Sequence, residues 1–157
     1  MSIAIITGAS SGLGKEYVKA TTKLYSEIEE IWIIARDISG LNEVKKIYPN
    51  KKIVAILKTH TLSRTKEMAD DFVEALDLAD DAYVMDVGID REEIGYDGVD
   101  YHVILDKLKN GKYMSLDKVD ELLKYENAVL IFMSSKDIYV LQNEYEKRLK
   151  EKLGIEE

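Results

Sequence analysis

The sequence predicts an α/β fold, a mostly parallel sheet covered by helices on both faces. Three observations carry this reading. Short apolar runs recur along the chain, hydrophobic residues between them return at steps of three and four, and most of the runs lack the apolar/polar alternation of a strand with one wet face. Repeated strand-then-helix units of that kind join parallel strands through right-handed crossovers, so helices cover both sides.

Six runs read as strands: IAIITG (Ile3 to Gly8), IWIIAR (Ile31 to Arg36), KIVAIL (Lys52 to Leu57), AYVMDVG (Ala82 to Gly88), KYMSL (Lys112 to Leu116) and AVLIFMS (Ala128 to Ser134). Helical spacing links Leu13, Tyr17, Ala20, Leu24 and Ile28, and then Met68, Phe72, Leu76 and Ala79. It returns at Tyr101, Ile104, Leu105 and Leu108, at Val119, Leu122 and Leu123, and at Ile138, Leu141, Tyr145, Leu149 and Leu153. A shorter helix, Leu41 to Tyr48, stops at Pro49. The expected architecture is one three-layer, doubly wound, Rossmann-like domain over residues 1–157, with six mostly parallel strands in the order 3-2-1-4-5-6. A flavodoxin-like order is the alternative.

Composition narrows the function classes. With 46% hydrophobic and 33% charged residues and one proline, the chain reads as globular and cytoplasmic, without a membrane-spanning run or a secretory leader. A net charge of −8 opposes contact with nucleic acid or anionic lipid, so neither is an expected partner. The absence of cysteine removes disulfides, thiolate nucleophiles and cysteine-zinc sites together. His60 and His102 are the two imidazoles; His102 has no ligand-spaced companion, and no metal site is expected.

The loop TGASSGLG places Gly8, Gly12 and Gly14 between the first strand and the first helical pattern. Glycines there let the backbone approach a pyrophosphate, and the helix N-terminus offers free N–H groups. ASSGLGK also has P-loop spacing, but Glu16 stands where a Ser or Thr should bind Mg²⁺.

The T-G-x-x-x-G-x-G spelling, continuing through KEYVKA and EIWIIARD, resembles the cofactor segment of the short-chain dehydrogenase/reductase family over residues 1 to about 38. The resemblance implies dinucleotide contacts from Gly8, Ser10, Ser11, Gly12, Leu13 and Gly14. Arg36 at the end of the second strand implies NADP over NAD, with Asp37 pulling the other way. No N-N-A-G follows the fourth strand, and the one Tyr-x-x-x-Lys spacing, Tyr48 and Lys52, straddles Pro49 and enters a strand. Carbonyl reduction therefore lacks its acid, and no catalytic residue is assigned.

From about Leu41 onward the wording changes. The segment H-T-x-S-R-T-K, the following D-x-F-x-x-A-L and the later D-I-Y resemble the C-terminal domain of the Mur ligases, over roughly Leu41 to Gly154. That resemblance implies a Rossmann-like domain closing over a central ATPase domain, and it implies ligand contacts at His60, Arg64, Thr65, Arg91, Glu92 and Asp137. Ser134 and Lys136 replace two glycines of the family's last turn, and Thr59 replaces a proline.

Bland roles compete with these. His60 can simply hydrogen-bond a loop, Arg64 can pair with Asp86, and the acidic loop Asp86, Asp90, Glu92, Glu93 lacks the ligand pattern of an EF-hand. Two resemblances meeting near residue 40 inside a single strand-helix pattern lead to the main expectation: an engineered chimeric scaffold without a complete catalytic site, requiring no cofactor and binding NADP at most weakly. The alternatives are an NADP-dependent short-chain reductase and a binding module derived from a Mur ligase.

Overall fold

The computed structural model describes residues 3–7, 30–35, 46, 48–88, 94–134 and 136–155. Its strands are β1 (Ile3–Thr7), β2 (Glu30–Ala35), β3 (Lys52–Leu57), β4 (Asp81–Val84), β5 (Gly111–Tyr113) and β6 (Ala128–Met133). The described helices are α1 (Leu62–Glu67), α2 (Ala69–Leu76), α3 (His102–Leu105) and α4 (Tyr139–Leu153), with a 3₁₀ helix over Leu116–Lys124.

Among the described residues every strand pairing is parallel, and the sheet order is β1-β2-β6-β3-β4-β5. This corrects the expected 3-2-1-4-5-6: β1 stands at one edge, and β6 inserts between β2 and β3. The physical reason lies in the burial demands of the strands. Every residue of β6 is buried, which suits a strand flanked on both edges and covered on both faces, whereas β5 is only half-buried and takes the far edge.

Alternate residues of β3, β4 and β6 feed two cores. Ile53, Ala55, Leu57, Val84, Val129, Ile131 and Met133 pack with Phe72 and Leu76 of α2 and Ile104 of α3. Val54, Ile56, Tyr83, Leu130 and Phe132 face the opposite way, toward Val119, Leu122, Leu141, Tyr145 and Leu149. Side chains of successive strand residues point to opposite faces, so strands that are apolar throughout require two helical layers.

The described elements depart in detail from the sequence expectation, and the fifth strand covers Gly111–Tyr113, not Lys112 to Leu116. The helix expected from Met68 begins earlier, with α1 at Leu62, and Met68 separates it from α2. The fourth strand ends at Val84, not Gly88. Met85 still donates to the Leu57 carbonyl at 2.9 Å, and Gly88 then turns back to donate to the Thr59 carbonyl at 2.8 Å. The segment around Val119 is 3₁₀, and its buried residues Val119, Leu122 and Tyr125 recur every three positions, the spacing that brings side chains into line in that helix.

Candidate functional site

β3 and β6 are neighbours, yet the chain leaves them for opposite layers. β3 leads through α1 into α2, which covers one core, while β6 leads into α4, which covers the other. In open parallel sheets such a divergence marks the crevice outside the carboxyl ends of the two strands where ligands are held. Four polar side chains meet there: Lys58 and His60 just past β3, and Ser134 and Asp137 just past β6.

Lys58 Nζ donates to Asp137 Oδ2 at 2.8 Å. His60, 7% exposed, brings Nε2 to 2.7 Å from Ser134 Oγ and 3.1 Å from Asp137 Oδ1. The second approach lacks hydrogen-bond alignment, so Asp137 Oδ1 is a buried acceptor without a hydrogen bond among the described residues. Burial opposes ionisation of Asp137, but the hydrogen bond and charge of Lys58, reinforced by His60, hold its carboxyl below the usual carboxylate range.

The crevice wall is fixed by small contacts. A Cβ on Gly88 would lie 2.5 Å from His60 Nδ1, so only a glycine lets the loop after β4 close against the imidazole. Buried Thr65 donates to the Thr61 carbonyl at 2.6 Å, and the Thr59 hydroxyl, 2.7 Å from Thr65 Oγ1, can donate in turn. These bonds tie the Lys58 to Thr61 loop to the first turn of α1. At the β6–α4 turn, the Lys136 amide donates to Ser134 Oγ at 3.3 Å, and the Val140 amide donates to the Asp137 carbonyl at 3.1 Å.

The residues expected from the sequence divide three ways. His60 and Asp137 come together. Thr65 faces inward and positions the loop, while Arg64 is exposed on α1. Asp86, one candidate partner of Arg64, accepts from the Tyr113 hydroxyl at 2.7 Å, which pushes the Tyr113 hydroxyl up to about 12. Arg91 and Glu92 lie outside the described residues, as do Gly8, Ser10, Ser11, Gly12, Leu13, Gly14 and Arg36. Of the Tyr-x-x-x-Lys pair, Tyr48 is buried and pushed up to about 12 by that burial, and Lys52 pairs with Asp81 at 2.6 Å. Lys52 and Asp81 both begin their strands, so this pair sits at the end of the sheet opposite the crevice.

Lys58 and Ser134 were not singled out from the sequence as site residues. The signal for Lys58 was its position two residues before His60, just beyond a buried strand. Ser134 was noted as a replaced glycine, but its nearness to His60 depends on the pairing of β6 with β3. Among the described residues no cluster of three or more His, Asp or Glu could hold a metal, and no helix is long and apolar enough to cross a membrane.

These features define a parallel-sheet α/β domain with its crevice at a topological switch point. No family model matches the chain. Over 113 residues it is 34% identical to a UDP-N-acetylmuramate–L-alanine ligase of Streptococcus mutans, a match covering 71% of this chain and 25% of that protein. The corresponding ligase of Streptococcus sanguinis gives 34% over 113 residues, covering 71% and 26%. The region from about residue 41 to 154 thus resembles the C-terminal domain of these ligases, and the chain spans about a quarter of their length.

Solved structures show the same fold. A UDP-N-acetylmuramate–alanine ligase of Thermotoga maritima superposes with a TM-score of 0.53 at 21% identity, covering 76% of this chain and 26% of that one. A murein peptide ligase of Psychrobacter arcticus gives 0.52 at 16% identity, covering 71% and 24%.

Proposed function

We propose that the chain is a ligand-binding module of the Mur-ligase C-terminal type, and that the crevice between β3 and β6 takes a small zwitterionic ligand of the amino-acid class. The observation that supports this most directly is the pairing of opposite charges with one acceptor left over. Lys58 and Asp137 are already 2.8 Å apart, while Asp137 Oδ1 is buried and lacks a hydrogen bond among the described residues. An incoming ammonium group would satisfy that oxygen, and the ligand's carboxylate would take the Lys58 ammonium in exchange, so charge is conserved as one ion pair opens into two. L-Alanine, which the names of the relatives specify, has both groups on one carbon. The proposal is binding; ATP-dependent ligation is not part of it.

Isothermal titration of the purified chain with L-alanine, UDP-N-acetylmuramate and ATP, each alone and then together, tests the reading. Saturable L-alanine binding that falls at least tenfold in Asp137→Asn is the expected result. Absence of any heat with all three present, from a chain whose circular dichroism shows it folded, refutes it. A parallel titration with NADPH tests the dinucleotide reading of TGASSGLG.

A further inference from the structure

We propose that Ser134 and His60 form a nucleophile–base pair able to transfer an acyl group from a small carboxylic ester to water. The geometry has three parts. Ser134 Oγ lies 2.7 Å from His60 Nε2, within the reach required for a hydroxyl to pass its proton to a base. Ser134 directly follows β6, an interior strand paired to β2 on one side and β3 on the other, and it precedes α4 by a short turn. A serine on a strand-to-helix turn at the carboxyl end of a central parallel strand is held where its oxygen can face a crevice. The third part is the surroundings. Ser134 is only half-buried, whereas His60 is 7% exposed, so an ester can reach the nucleophile while the base stays shielded from bulk water.

The step balances without a further reactant beyond water. Ser134 Oγ attacks the ester carbonyl carbon as its proton moves to His60 Nε2; the tetrahedral adduct collapses, the C–O bond to the alcohol breaks, and the departing alkoxide takes that proton. Water then attacks the acyl-serine, losing a proton to His60, which returns it to Ser134 as the carboxylic acid leaves. Asp137 Oδ1, 3.1 Å from the same nitrogen, favours the transient imidazolium electrostatically. It does not orient the ring from Nδ1 as the carboxylate of a Ser-His-Asp triad does, so the arrangement is a dyad with a neighbouring charge. For Ser134 to donate, His60 must be neutral with its proton on Nδ1, and among the described residues Lys58 and Asp137 are charged groups placed to influence that state.

The test uses the full chain and a fluorophosphonate probe, with the modified residue located by peptide mass spectrometry. Expected are labelling at Ser134, none there in Ser134→Ala, and a rate that drops about 100-fold in His60→Gln, at the low end of a general-base contribution. Because His60→Gln disturbs a packed residue, the pH profile of the unmodified protein provides a second reading: labelling should rise with pH as a single group deprotonates, then level off. No labelling at Ser134, or labelling unchanged in a folded His60→Gln, overturns the proposal. So does a rate that climbs without levelling up to alkaline pH, the behaviour of an unassisted hydroxyl. Labelling requires no amino acid or nucleotide, so its failure leaves the L-alanine titration standing, and the reverse also holds.

Discussion

Asp81→Asn probes the ionic network at the end of the sheet opposite the crevice. Asp81 opens β4 with its side chain 10% exposed, between Lys52 at 2.6 Å and Lys112 at 2.5 Å. Burial opposes its ionisation, but hydrogen bonds from Lys112, Lys52 and Tyr125 prevail and lower the carboxyl from 3.8 to about 2. That gap corresponds to at most about 2 kcal/mol. Lys52 and Lys112 are themselves 48% and 41% exposed, so solvent screens the pair and roughly 1 kcal/mol is the expected net contribution.

The direction follows from the lowered value. The stabilisation is fully present above 3.8 and is lost as pH falls through about 2, below which folded and unfolded chains both carry a neutral acid. Urea denaturation of the native chain and Asp81→Asn, followed by circular dichroism across pH 6 to 2, should therefore show a difference of about 1 kcal/mol near neutrality that shrinks toward zero at the acid end. A difference that stays constant across the range would refute the ionic account and leave only the shape and hydrogen bonding of the side chain.

Gly88→Ala should force His60 aside, since the new Cβ would lie 2.5 Å from Nδ1; the imidazole resonances should shift by NMR and probe labelling at Ser134 should fall, with about 1–3 kcal/mol lost in urea denaturation. Leu122→Ala removes a fully buried side chain that packs in the core between the sheet and α4, and should cost about 2–5 kcal/mol by the same denaturation.

Much of the fold could be read along the chain. KIVAIL becomes β3 residue for residue, and the α4 pattern of Leu141, Tyr145 and Leu149 is the buried face of a 15-residue helix. The site was legible only in halves. His60 and Asp137 stood out through a family resemblance, but their meeting could not be read from spacing, because the 76 intervening positions carry no distance information. The partner of Asp86 shows the same limit: Arg64 is one complementary charge along the chain, whereas strand pairing places Tyr113 beside the end of β4, with Val84 in register against Tyr113.

Hydrophobic periodicity is a local property, and by itself it determined that this chain alternates strand and helix, that β3 and β6 are buried on both faces, and hence that the sheet is parallel and layered. Strand neighbours are chosen by long-range packing. Only the tertiary structure set β6 between β2 and β3, and that one placement brings Ser134 and Asp137 against Lys58 and His60, because a strand carries the turn at its carboxyl end to wherever the sheet seats it.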